Sequence, residues 1–253
     1  MQLSYNRSPK PGAEVEVDMG LLKLLQDKFG HEDFKSQEQK DAVETLVREQ
    51  VDIFVCMPTG SGKSIIYQLA AVSSVGKVAI VVCPILALIK DQCDSLAAKG
   101  INAASLNSKM TRTERVKVEK DLRLKFPVTQ LLYITPEQCQ TTAFKELLQS
   151  MMANSSVSYL VVDEAHCVAE WGRDFRPDYL KLGDIRDITR NTPWVALTAT
   201  ATKEMAVEIA SILRLQASFK SFRLSSFRNN LNYDVEFKNS KNVSILLHQT
   251  KQT

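Results

Sequence analysis

The stretch Ile53-Phe54-Val55-Cys56-Met57-Pro58-Thr59-Gly60-Ser61-Gly62-Lys63-Ser64-Ile65-Ile66-Tyr67-Gln68-Leu69 runs from a short apolar segment through a glycine-containing turn into a helical pattern. Glycines here let the backbone turn inward so that its N–H groups face phosphate oxygens. Thr59, Gly60, Ser61 and Gly62 would form the cradle, Lys63 would supply positive charge to the outer phosphates, and Ser64 would give an oxygen to a metal ion. The pattern G-x-x-x-x-G-K-[ST] wants glycine where Met57 stands, so the match is not strict. An ordinary strand-to-helix turn with an incidental lysine is the bland alternative. It does not explain why strand, turn and helix all fall where the phosphate loop requires them.

Outward from this loop, apolar runs alternate with helical patterns. Runs at 53–56, 78–83, 103–106, 131–134, 159–162 and 195–197 predict strands, and 86–98, 111–124, 136–151 and 203–213 predict helices. A helix over 19–29 is closed by Gly30, and a second starts at Ser36. Strand then helix, repeated, predicts an α/β fold: a mostly parallel sheet with helices on both faces. Residues 1–18 are polar, carry Pro9, Pro11 and Gly12, and are expected to be a flexible arm. In such a fold ligands bind at the carboxyl ends of the strands, where helix N-termini offer free N–H groups.

Composition sets the bounds. The chain has 253 residues, 44% of them apolar, enough for one large domain or two small ones. Lys plus Arg at 32 against Asp plus Glu at 29 leaves +3, so any basic surface must be local. No apolar run approaches the roughly 18 residues of a membrane helix, and the polar start lacks a signal-peptide core. A soluble intracellular protein without membrane partners is expected. Five cysteines with no C-x-x-C pair indicate neither a disulfide framework nor a four-cysteine zinc site; buried thiols are expected.

A magnesium ion at the phosphate loop needs a second anchor, usually an acid at the end of a neighbouring strand. Tyr159-Leu160-Val161-Val162-Asp163-Glu164-Ala165-His166 offers one. Asp163 would hold the ion through water, and Glu164 would act as general base on the attacking water.

Asp163-Glu164-Ala165-His166, in a chain that also carries Pro58 to Ser64, resembles the motor core of superfamily-two helicases. Residues 167–179, C-V-A-E-W-G-R-D-F-R-P-D-Y, resemble the aromatic-rich loop of RecQ DNA helicases, and A-L-T-A-T-A-T at 196–202 resembles their third motif. The chain is therefore similar to the RecQ family from about Leu21 to Phe237. The segments F-V-C-M-P-T-G, L-N-S-K and L-Y-I-T-P-E look most like its RecQ-five branch. The resemblance implies a RecA-like P-loop lobe over 19–237, a divergent tail over 238–253, and ATP with Mg2+ as the nucleotide and ion.

The family's base pocket falls on His31, Lys35 and Gln39. The family usually has an aromatic ring at His31 and Arg at Lys35. Gln39 also completes a capping box with Ser36, and Gln37 is the alternative base contact if the register slips. DNA contacts are implied at Pro84, Lys90 and Thr135, where helix starts follow strands. Thr135 is equally an N-cap with Pro136 behind it, and both readings can hold together. Trp171, Phe175 and Tyr179 interleave with Arg173 and Arg176, exposed rings among cations as single-strand binding favours; core packing is the alternative for Trp171. The family commonly has Ser, Gln and His where Ala169, Glu170 and Arg173 stand, groups that help couple binding to hydrolysis. Thr198 and Thr200 would couple hydrolysis to DNA movement through His166, while Thr202 is an N-cap candidate.

By resemblance the function is that of an ATP-dependent 3′-5′ DNA helicase of repair and recombination, nuclear and accompanied by repair or replication proteins. A complete motor needs a second lobe and its arginine finger, which contributes roughly 10³ to 10⁵ in rate. Only residues 234–253 follow Tyr233, so a first motor lobe alone is expected. The alternative is a non-translocating lobe that binds DNA or a partner, promoting annealing with little ATP turnover. A third reading, an unrelated P-loop kinase, leaves residues 171–179 unexplained.

Overall fold

The computed structural model describes residues 11–170 and 178–225, with side chains from residue 20 onward except that of Glu170. Among the described residues seven strands form one sheet: β1 (Ile53–Cys56), β2 (Val78–Val82), β3 (Ala103–Leu106), β4 (Leu131–Ile134), β5 (Val157–Val162), β6 (Trp194–Thr198) and β7 (Lys220–Arg223). Their order is β3-β4-β2-β5-β6-β1-β7, and every neighbouring pair is parallel. The helices are α1 (Pro11–Phe29), α2 (Gln37–Glu44), α3 (Lys63–Ser73), α4 (Leu86–Ala98), α5 (Arg112–Leu122), α6 (Pro136–Cys139), α7 (Thr142–Ala153), α8 (His166–Glu170), α9 (Arg186–Thr189) and α10 (Lys203–Ile212). The α/β expectation holds.

Side chains of a strand alternate between faces, so a continuous apolar run feeds two cores at once. Phe54, Ile80, Leu132, Leu160 and Ala196 join one cluster with Phe144, Leu148 and Ile209 of α7 and α10. Ile53, Val55, Ala79, Val81, Tyr133 and Val161 join the other, with residues of α1 to α4 such as Leu25, Val43, Ile66 and Leu96. Both faces are thus covered, as the uninterrupted runs require.

Three local expectations are corrected. The first helix begins at Pro11 rather than at residue 19, since proline is tolerated at a first helical position. The helix expected over 136–151 is two, because Thr141 caps α7 by accepting from Phe144 N at 3.3 Å while its hydroxyl donates to Gln138 O at 2.8 Å. An edge strand, β7, was not expected; its sequence K-S-F-R is largely exposed and carries little apolar signal. Four of the five cysteines are buried free thiols, and Cys93 is half-buried.

Candidate active site

The order of the sheet puts the end of β1 two strands from the end of β5, on the order of 10 Å at the usual strand spacing. The loops leaving these two strands face each other. A cleft of about 310 Å³ is lined by Lys35, Thr59, Gly60, Gly62, Lys63, Ser64, Asp163 and Glu164, together with Ile65, Leu88 and Gln92. The phosphate loop and the acidic pair therefore share one cavity.

The loop owes its shape to two glycines in the left-handed region, Gly60 at φ 86° and Gly62 at φ 84°. A Cβ on Gly62 would also collide with the Gln39 side chain. No side chain caps α3 at its N-terminus. By contrast α2, α5, α6, α7 and α10 are capped by Ser36, Thr111, Thr135, Thr141 and Thr202. The uncapped start of α3 leaves N–H groups and the positive end of the helix dipole for an anion, and Ser61 Oγ is buried without a protein partner. This donor set, with Lys63 beside it, fits a polyphosphate. Ser64 and Asp163, both lining the cleft, supply oxygen ligands of the kind magnesium prefers.

Lys63 Nζ donates to Met57 O at 2.9 Å. Burial lowers its pKa, while Glu164 and Asp163 act to raise it. Asp163, 8% exposed, has its pKa pushed up to about 6, first by burial and then by the Glu164 charge; the Glu164 amide and Lys63 oppose the shift. Asp163 Oδ1 accepts from Glu164 N at 3.0 Å. Glu164 sits at φ 51°, an uncommon conformation for a residue with a side chain, held by the bond from Ala165 N to Leu197 O at 2.7 Å.

His166 Nδ1 lies 3.4 Å from Glu164 Oε2 and 3.2 Å from Thr198 Oγ1. Thr198 spends its proton on Thr200 O at 3.0 Å and accepts from Thr200 N at 3.2 Å. The hydrogen between His166 and Thr198 therefore belongs to Nδ1, which places Thr198, Thr200, His166 and Glu164 in one network. Thr202 is the cap of α10, accepting from Met205 N at 3.2 Å.

Gln39 is 2% exposed and engaged at both ends of its amide. Its Oε1 accepts from Lys35 N at 2.7 Å, and its Nε2 donates to Gly62 O at 2.9 Å; its own N donates to Ser36 Oγ at 3.1 Å. Its Nε2 also reaches Ser61 O at 3.5 Å, so both ends of the amide are turned to the protein backbone. Lys35 Nζ donates to Gly60 O at 3.0 Å, and His31 is not among the cleft-lining residues. Pro84 is buried ahead of α4, whose N-terminus also lacks a side-chain cap. Lys90 is exposed, pairs with Asp94, and faces a separate groove. Thr135 accepts from Gln138 N at 3.4 Å as the cap of α6. Trp171, Arg173, Phe175 and Arg176 lie outside the described residues, while Tyr179 is fully buried in the apolar cluster beside α7 and α10 rather than exposed for stacking. Leu88 and Gln92 were not singled out as lining the cleft, although their i, i+4 spacing puts them on one face of α4.

The DEAD/DEAH box helicase family matches residues 36–208. The chain is 49% identical over 210 residues to "ATP-dependent DNA helicase Q5" of Rattus norvegicus, covering 83% of this chain and 22% of that protein. It is 37% identical over 212 residues to "ATP-dependent DNA helicase RecQ" of Pasteurella multocida, covering 84% and 32%. It thus spans about a fifth to a third of the length of these relatives. Among solved structures, DUF1998 helicase MrfA bound to DNA is similar in fold at a TM-score of 0.62 and 18% identity, over 81% of this chain and 29% of that one. The chain belongs to the DEAD/DEAH box helicase family, and its relatives within it are RecQ DNA helicases.

Proposed function

We propose that the chain is the ATP-binding first motor lobe of a RecQ-type, ATP-dependent 3′-5′ DNA helicase acting in nuclear DNA repair and recombination. The observation that carries this reading is the shared cleft of Lys63, Ser64, Asp163 and Glu164. The glycine loop and the uncapped start of α3 hold the phosphates, and Lys63 leaves Met57 O to pair with the outer ones. Ser64 and Asp163 would hold magnesium. That ion, when bound, draws charge from the phosphate oxygens. Glu164 takes a proton from water, and its odd backbone conformation, tied to β6, aims the carboxylate. His166 and Thr198 pass changes at Glu164 to β6. The backbone N–H groups of the helix start that follows Pro84, the Thr135 hydroxyl and Lys90 on the face of α4 bind strand phosphates without reading sequence. Lys35, Gln39 and His31 form the base side, and Trp171, Arg173, Phe175 and Arg176 contact unpaired bases.

Nucleotide binding, DNA-stimulated hydrolysis and strand separation test this reading together. Lys63→Ala is expected to weaken nucleotide binding by roughly 10- to 100-fold, the loss of a charged hydrogen bond. Glu164→Gln is expected to keep nucleotide and lose turnover by about 10² or more. Nucleotide affinity untouched by Lys63→Ala would remove the phosphate-loop role. Salt-sensitive DNA binding without turnover would assign the chain to the non-translocating alternative.

A further inference from the structure

Beneath the nucleotide cleft a line of polar side chains crosses an apolar core. Tyr67 and Tyr133 are fully buried, and Gln68 is 6% exposed. Gln68 Nε2 donates to Gln92 Oε1 at 2.7 Å and to Tyr133 Oη at 3.4 Å, while Tyr133 Oη lies 3.4 Å from Tyr67 Oη. Buried polar groups cost stability unless paired, so such a line persists only where its members satisfy one another. Counting protons orders it. Gln68 Nε2 has two, both now used, so Tyr133 accepts from Gln68 and is free to donate to Tyr67. The amide of Gln68 is thereby held in one orientation, with its nitrogen turned to Gln92.

The two glutamines sit on α3 and α4, both of which start without a side-chain cap. Gln68 is in α3, whose first residues are Lys63 and Ser64, and Gln92 is in α4, which follows Pro84. Helix α4 is also a partition. Leu88 and Gln92 line the nucleotide cleft, whereas Ala87, Lys90 and Asp94 line a groove of about 1160 Å³ on its other side. A displacement of α4 must therefore change both spaces, and the Gln68–Gln92 bond is a polar link between it and the phosphate-loop helix.

We propose that the Gln68–Gln92 hydrogen bond is a coupling tie: it fixes α4 to the phosphate-loop helix, so that nucleotide and single-stranded nucleic acid alter each other's affinity through it. Gln68 acts as a positioning residue, since it does not line the cleft. The inference rests on the nucleotide and DNA reading above.

Reciprocal linkage gives a test that needs no turnover. Affinity for ADP with Mg2+ is measured with and without a saturating single-stranded oligonucleotide. The ratio is expected to be at least about fivefold for the wild-type chain. For Gln68→Leu it is expected to fall to within about twofold of unity, a coupling below roughly 0.4 kcal/mol. Gln92→Leu, at a half-buried position that spares the core, is expected to lose the ratio likewise should Gln68→Leu fail to fold. Gln92→Glu keeps an acceptor for Gln68 Nε2 and is expected to retain it. Leu148→Ala, in the opposite core, controls for lost stability and should also retain it. An unchanged ratio in Gln68→Leu and Gln92→Leu, an equal loss in Leu148→Ala, or no coupling in the wild type overturns the tie while leaving the site intact. A chain that binds no nucleotide at all overturns the site reading and the tie with it.

Discussion

At the amino end of the sheet Asp52 is fully buried, and its oxygens accept from Arg186 Nη2 at 2.8 Å, Trp194 N at 2.8 Å and Gln216 N at 2.7 Å. At the carboxyl end Asp163 is nearly as buried, yet among the described residues its one protein hydrogen bond comes from Glu164 N at 3.0 Å. Arg186 is itself completed by Thr192 O at 3.1 Å and stacks over the Trp194 ring, 5.5 Å from its centroid. Both carboxylates fall under the same rule, that a buried charge must be paired, but Asp52 is met by three donors and Asp163 by one amide and the nearby charge of Lys63. Helix ends repeat the lesson: α10 is closed by Thr202, while α3 and α4 start without a side-chain cap. At these positions the satisfied groups close the fold, whereas Asp163 and the start of α3 lie at the cleft.

The comparison is tested most severely by exchanging each aspartate for asparagine. Asp52→Asn leaves Arg186 buried without its countercharge and is expected to cost about 3 to 5 kcal/mol in denaturant unfolding. Asp163→Asn removes a charge that burial disfavours, so stability is expected to hold or rise while magnesium-dependent nucleotide binding is lost. An equal destabilisation by both changes would erase the distinction between the two ends.

A pH series sharpens it. The folded pKa of Asp163, about 6, lies above its ordinary value of 3.8. Its protonated form is therefore favoured by folding: the contribution is fully present below pH 3.8 and is lost as pH rises through about 6. In chelator, the stability of the wild type relative to Asp163→Asn should fall between pH 4 and pH 7 by on the order of 2 to 3 kcal/mol. A flat difference would mean that Asp163 carries no such burden. The smallest effect concerns the caps. Thr202→Ala is expected to cost about 1 kcal/mol in unfolding and to leave nucleotide affinity unchanged, because that helix end serves the fold alone.

How much of this was legible follows from the range of each signal. The runs at 53–56 and 131–134 became strands with those bounds, because buried strands need continuous apolar side chains for two cores; the run at 103–106 did so as a half-buried edge strand. Lys63, Ser64, Asp163 and Glu164 were legible because each follows a run whose end must open to ligand. Other features left less trace. The break at Thr141 hid within a helical apolar pattern, and β7 carries little apolar signal in its edge position. Asp52 looked like any polar residue ahead of a strand, since Arg186, Trp194 and Gln216 lie far along the chain. Gln68 and Gln92 looked like ordinary helix-face residues. Gln39 was open between capping a helix and binding a base, and the structure adds a third engagement, with the backbone of the phosphate loop.

From the sequence by itself came the alternation of strand and helix, the glycine turn ahead of Lys63, and the acid pair. Those depend on residue order over a few positions, where hydrogen bonding and burial act locally. Only the tertiary structure decided that Lys63 and Asp163, 100 positions apart, face one cleft, that Asp52 is closed off, and that α4 is tied to α3. The order of strands in the sheet sets those distances, and it is chosen by how both apolar faces pack rather than by any neighbour in the chain.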